Sequence, residues 1–276
     1  MKILHPNKDE YCSLNELKSY YFDGFYSIIS EDEKSKLNYF LNAFQDYRKS
    51  NNLIITDKNL YKNLPFSIHT TEWIERQKDA KIIDSIIQNK QQLEILDVGS
   101  WNGWLCNYLS KKGHKLTGIN FFNDEFDGLK TNVYYDTEFT LLQMHADQLY
   151  RIEKKFDLII FNRNWAFFQN HEAILNDAIK MLSPNGKIIF TGLAFYKNSS
   201  LIKQQFELKN SEFKKRYNIP LFYSPSKGFL DFNDKIWFKK NDIKLNSYNL
   251  LKNAVKLFFP KKPSIFYGLY SNSNRQ

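Results

Sequence analysis

The sequence predicts an α/β protein: a doubly wound, seven-stranded, mostly parallel sheet with an antiparallel last strand, preceded by an N-terminal helical extension. Three observations carry this. From Leu93 onward, short apolar runs alternate with helical stretches, the pattern of parallel strands joined by crossover helices. Before Leu93 the apolar residues recur at helical spacing instead. Near the end, only residues 250 to 263 separate two strand-like runs, as in a hairpin-like return. A length of 276 residues allows a core of this size, and an apolar content of 42% rules against disorder.

The elements follow in order. Ser30 precedes Glu31, Asp32 and Glu33, a cap followed by acids that complement a helix N-terminus. The helix runs to about Arg48, with Leu37, Phe40, Leu41 and Phe44 on one face. A second helix begins near Thr71, the expected cap, and carries Trp73, Ile74, Ile82, Ile83 and Ile86 up to a polar break at Gln88 to Gln92. Residues 1–90 are thus expected to form a helical flank or lid packed on a domain of residues 91–276. The strands of that domain are 94–98, 115–120, 140–145, 156–161, 187–192, 243–249 and 264–270, with helices at 104–112, 171–181 and 231–240. Ala254, Val255, Leu257, Phe258 and Phe259 are expected to pack as an excursion between the last two strands.

Composition narrows the function classes. A net charge of +9 is compatible with nucleic acid, an anionic membrane surface or an acidic substrate, but its lysines and arginines are spread, and no polybasic arm forms. Cys12 and Cys106 make neither a disulfide framework nor a metal-ligand spacing, which points to a reducing, cytoplasmic setting. No apolar run has signal-peptide character or reaches the roughly 18 residues of a membrane span. His-x-x-x-His and Cys-x-x-Cys spacings are absent, so no metal is expected.

The most informative stretch is LEILDVGSWNGWLCNYLSKKG, Leu93 to Gly113. A buried strand ends in Asp97 and Gly99; Ser100, Trp101, Asn102 and Gly103 turn the chain into a helix, with Gly113 as its expected cap. Neither the dinucleotide fingerprint nor the phosphate loop is met. The stretch resembles motif I of the class I S-adenosylmethionine-dependent methyltransferases, D/E-x-G-x-G-x-G, with Trp101 at the middle glycine. Lys115 to Asn120 resembles that family's second strand, His145-Ala146-Asp147-Gln148 its adenine segment, and Phe156 to Asn162 its fourth strand. Met181 to Lys187 resembles its Leu-Lys-Pro-Gly-Gly turn.

The resemblance implies a Rossmann-like methyltransferase that binds S-adenosylmethionine and releases S-adenosylhomocysteine. Asp97 would orient the cofactor's amino end, and Gly99, Ser100, Trp101, Asn102 and Gly103 would cradle it. Asn120, where the family usually has an acid, would meet the ribose with Phe121 beside it; Asp147 and Gln148 would flank the adenine, and Asn162, at the end of the fourth strand, would lie beside the methyl group. Arg163, Trp165 and Tyr223 are the expected acceptor contacts, the last from the irregular 220–228 insert, where such proteins shape their substrate sites. His171 is the expected base for an acceptor that must lose a proton.

The segment 162–168 lacks the Asn/Asp-Pro-Pro-Tyr/Phe and Pro-Cys signatures of nucleobase methylation, which disfavours nucleic acid. The expected acceptor is an oxygen or nitrogen of a small molecule or glycan-type metabolite. Two other readings remain: a non-catalytic binding or scaffold protein of the same fold, suggested by Trp101 and Asn120, and an RNA methyltransferase, suggested by the basic balance.

Overall fold

In the computed structural model, which describes residues 1–88, 92–256, 258–259 and 261–272, a twisted central sheet separates two apolar layers. In chain order the strands are β1 (Lys2–Leu4), β2 (Tyr11–Ser13), β3 (Tyr21–Phe22), β4 (Phe25–Ser27), β5 (Glu94–Val98), β6 (Lys115–Asn120), β7 (Thr140–Gln143), β8 (Ile152–Glu153), β9 (Phe156–Asn162), β10 (Leu182–Tyr196), β11 (Leu230–Asp231), β12 (Lys244–Ser247) and β13 (Ser264–Ser271). The helices are α1 (Glu31–Ser50), α2 (Thr71–Ile87), α3 (Trp104–Ser110), α4 (His171–Lys180), α5 (Ser199–Tyr217), α6 (Phe232–Lys240) and α7 (Leu250–Lys256).

The main sheet runs β12-β13-β10-β9-β5-β6-β7-β4-β3, with β11 beside β10. Within it lie the seven expected strands, and β13 is antiparallel to both β10 and β12. Period-two alternation explains the layers. Leu96, Val98, Ile159, Phe161, Ile188 and Phe190 face one cluster, which includes Ile174, Leu175 and Ala178 of α4. Ile95, Leu158, Ile160 and Ile189 face the other, which includes Trp73, Ala80 and Ile83 of α2 and Leu105 and Leu109 of α3. The chain reverses its direction of winding between β5 and β9, so a crevice opens outside their carboxyl ends.

The N-terminal region differs from expectation. Beside the two expected helices it contains strands: β4 pairs parallel with β7 and extends the sheet, while β1, β2 and β8 form a small sheet of their own. The signal was present in Tyr21-Phe22-Asp23-Gly24-Phe25-Tyr26, an Asp-Gly turn between aromatics. Asp23 and Gly24 both have positive φ (52° and 85°), which a tight hairpin requires. Strands of two or three residues are too short for alternation to show. The helix α2 has Thr70, not Thr71, at its cap position, and most of the polar break after it lies outside the described residues.

The excursion between β12 and β13 also departs from expectation. It forms α7, but Val255, Phe258 and Phe259 are exposed rather than packed, and Leu257 lies outside the described residues. Among the described residues no helix is long and apolar enough to cross a membrane, and no His, Cys, Asp and Glu cluster is placed to hold a metal ion.

Phe25 is fully buried against Leu129 and Leu141, so the first 30 residues contribute to the sheet's own core. Phe25→Ala is expected to remove about 3–5 kcal/mol of stability. It should lower the midpoint of a single cooperative thermal transition; a separate, early-melting N-terminal phase would show instead that this region folds by itself.

Candidate active site

The turn after β5 alternates left-handed residues: Gly99, Trp101 and Gly103 have φ of 71°, 52° and 75°. A Cβ on Gly99 would lie 2.4 Å from Asn164 Nδ2, so glycine is required there on two grounds. Asn164 donates to the carbonyls of Val98 (2.5 Å) and Gly99 (3.2 Å), fastening the end of β5 to the segment after β9. Asn120 donates to the carbonyls of Trp101 (3.1 Å) and Phe122 (3.2 Å), fastening the same turn to the end of β6.

This turn borders a cavity of about 630 Å³ at the carboxyl ends of the strands. Asp97, Gly99, Ser100, Trp101, Asn120, Phe121, Asp147, Asn162, Arg163 and Tyr223 all line it, as the sequence leads one to expect. Leu221 to Ser226 bring the 220–228 insert to its wall.

Five expected residues stand elsewhere. Asn102 is buried, its Oδ1 accepting from Trp104 N (3.2 Å) to start α3. Gly103 faces Tyr135 and Phe139 on the far side of the turn. Gln148 turns back on the backbone N–H of His145 (3.3 Å). Trp165 is a core residue packed on Phe161 and Phe190. His171 stacks on Trp165 at 4.7 Å and donates from Nε2 to the Trp165 carbonyl (2.8 Å). Burial lowers its pKa and keeps the ring neutral. Sequence proximity to the loop put these side chains near the site; the rotation of each one about its local turn or helix took them away.

Residues from α1 and α2 complete the wall, and sequence reasoning missed them. Phe40, Phe44, Tyr47 and Arg48 come from α1, and Glu72 and Arg76 from α2. The Trp101 ring stacks on Trp73 (5.7 Å), with the guanidinium of Arg76 4.4 Å and that of Arg48 5.5 Å from its centre. Arg76 pairs with Glu72 at 3.0 Å, and burial lowers its pKa to about 10, so it stays charged at neutral pH. The visible clue was Glu72 and Arg76 four apart around Trp73, which the search for apolar periodicity passes over.

A further knot lies behind the wall. Buried Asp79 of α2 accepts from Arg163 (3.3 Å), Asn162 (3.3 Å) and the Tyr248 hydroxyl, which in turn accepts from Gly192 N (2.9 Å). It ties α2 to the end of β9 and to Gly192 within β10.

Buried polar atoms without a partner among the described residues gather at the cradle: Asp97 Oδ1, Ser100 Oγ, Asn164 Oδ1 and Arg76 Nε. Such groups are ordinarily paired, so this cluster is chemistry presented to a ligand. Burial pushes the Asp97 carboxyl up to about 7, and the Cys106 thiol at 3.7 Å compensates little. Because the folded-state pKa lies above the unfolded value of about 3.9, the folded protein holds the extra proton between the two. Its stabilising effect is complete below about pH 4 and is lost as pH rises through 7, on the order of 4 kcal/mol in all. Thermal denaturation of the ligand-free protein from pH 5 to 8 should therefore show a falling midpoint, to which buried Asp127, also pushed up to about 7, contributes beside Asp97; Asp97→Asn should make the slope shallower, and an equal slope in both would exclude Asp97 as a source.

Comparison with known proteins agrees with this geometry. Residues 96–190 match the family model described as a methyltransferase domain. The malonyl-[acyl-carrier protein] O-methyltransferase of Priestia megaterium is 25% identical over 122 residues, 43% of this chain and 44% of that protein. The chain thus matches less than half the length of this relative. Two crystal structures of the plantazolicin methyltransferase BpumL, with triazolic and pentazolic desmethylPZN analogues and SAH, share the fold. They superpose with TM-scores of 0.51 and 0.50 at 16% and 14% identity, covering 88% of this chain and 99% and 100% of theirs. Strand order, the left-handed turn after β5 and the matched segment lead to one conclusion: the chain has a Rossmann-like α/β fold, and its residues 96–190 are similar to a methyltransferase domain.

Proposed function

We propose that the protein binds S-adenosylmethionine in this cavity and transfers its methyl group to an oxygen or nitrogen of a small-molecule or glycan-type acceptor. The observation that carries the reading is the convergence of unpartnered polar atoms on the turn after β5. There Asp97 suits an ammonium group, and Arg76, with Nε unpartnered, suits a carboxylate. The cavity volume is in the range of small-ligand sites. When bound, the cofactor supplies an electrophilic methyl group, and the protein's task is then alignment and exclusion of water.

Asn120 spends both amide hydrogens on backbone carbonyls, which leaves its Oδ1 to accept from a ribose hydroxyl. Asp147 and the Phe121 ring border the end where an adenine would lie. Phe121 stacks with His145 (4.9 Å), whose Nε2 is bonded to Glu33 of α1, so α1 acts as a lid over that end. Phe40, Phe44, Phe122, Phe167, Phe222 and Tyr223 offer an aromatic wall to the acceptor, suited to a planar ring or the apolar face of a sugar. His171 takes no part. An acceptor that presents an already ionised oxygen or a neutral amine fits this wall, since neither needs a base. The scaffold reading loses its main support, because the Trp101 ring is taken up by Trp73, Arg48 and Arg76.

Calorimetric titration with S-adenosylmethionine and S-adenosylhomocysteine tests the proposal. Binding is expected, and it should strengthen from pH 6 to pH 8 as Asp97 ionises. Asn120→Asp, although it installs the residue usual in the family, is expected to weaken binding about tenfold, because a carboxylate cannot donate to Trp101 O and Phe122 O. Folded protein that binds neither compound would return the chain to the non-catalytic reading.

A further inference from the structure

The helix α7 is amphipathic in the inverted sense. Its buried residue is polar: Asn253 donates to Ile265 O (2.8 Å) and Ser247 Oγ (2.7 Å) and accepts from Ile265 N (2.9 Å), which fastens the helix to β12 and β13. Its apolar residues point away from the protein. Leu250, Leu251, Val255 and Phe258 are 78%, 81%, 56% and 84% exposed, and Phe259 follows at 49%. Leu251 and Val255, four apart, share one face of the helix, and exposed Phe258 follows in a turn whose N–H donates to Val255 O (3.1 Å). A helix that merely packed on the sheet would be expected to turn that face inward.

The charges of this segment itself have one sign. From Leu250 to Pro263 the sequence contains Lys252, Lys256, Lys261 and Lys262 and no acid. Lys256 stands in the field of Lys78, Lys252 and Lys262, with Glu75 as the acid that faces it. Among the described residues none of the four lysines takes part in an ion pair. Exposed aliphatic and aromatic groups ringed by lysines match the boundary between anionic headgroups and acyl chains, where apolar area inserts and each nearby lysine adds electrostatic attraction. Nucleic acid would use the lysines and a stacking ring but would leave Leu250, Leu251 and Val255 in water.

We propose that α7, with Phe258, Phe259, Lys261 and Lys262, forms a peripheral docking surface for an anionic lipid bilayer, one that lies on the membrane and does not cross it. The site is separate from the cofactor cavity. It is joined to the cavity wall through Tyr248, two residues before α7, which donates to Asp79 of α2.

Co-sedimentation of the full chain with phosphatidylcholine vesicles containing about a third phosphatidylglycerol, against phosphatidylcholine alone, tests this. Binding to the anionic vesicles is expected, weakening as salt rises. Leu251→Ser with Phe258→Ser should lower the partition at least tenfold, about the effect of removing one inserted side chain. Lys252→Glu with Lys256→Glu should lower it at least about 25-fold, at about fivefold per lysine. All four positions are exposed or half-exposed, so the thermal midpoint should hold in both variants and confirm that they fold. Three results would overturn the proposal: no sedimentation with anionic vesicles; binding that Leu251→Ser with Phe258→Ser leaves unchanged; or self-association in ultracentrifugation that Phe258→Ser abolishes without any vesicle binding, which would assign the face to a second copy of the chain.

Discussion

The site depends on holding three left-handed residues in a five-residue turn. Backbone carbonyls from Val98 to Gly103 each find a donor: Asn164 for Val98 and Gly99, Gly103 N for Ser100, Asn120 for Trp101, Thr131 and Tyr135 for Asn102, and Asn107 N for Gly103. The turn is therefore fixed from outside by β6, β9 and the segment after β6, and its concave side is left to the cavity. Trp101 is the exception that shows how firm this is. A bulky residue at positive φ costs about 1–3 kcal/mol, and the stack with Trp73 and the two guanidinium contacts offset it.

That offset has a structural consequence. Where glycine would leave the turn independent of the N-terminal region, Trp101 makes α1 and α2 part of it. Arg48 reaches over the ring and also pairs with buried Asp127 after β6; Arg76 reaches it from α2 and pairs with Glu72. The knot at Asp79 secures α2 to β9 and β10 from the other side. Both helices are thus walls of the site, and α2 is also a layer of the core.

The parallel strands of the core were legible because they carry apolar runs, α1 because Leu37, Phe40, Leu41 and Phe44 recur at helical spacing behind a capped acidic turn, and α2 because its apolar residues recur from Trp73 to Ile87. The N-terminal strands were not, since two or three residues define no period, and only the Asp-Gly turn betrays one pair. Among the expected site residues, those at strand ends line the cavity, because a strand's last residue sits at the sheet's edge and that edge borders the cavity. His171, Trp165 and Gln148 lie beyond a turn or on a helix, where one bond rotation decides between cavity and core.

By itself the sequence determined the order of the seven expected strands and of α1, α2, α3, α4 and α6, the glycine-bearing turn with its acid and the absence of phosphate-loop spacing. These depend on residues close in the chain and on backbone conformation. Only the tertiary structure decided that Arg48, Arg76 and Trp73 converge on Trp101, that Asp97 loses its water and that Asn120 serves two carbonyls. It alone shows that α7 turns its polar side inward. Each of these is a contact or a burial set by elements distant in sequence, and periodicity within one element carries no record of what packs against it.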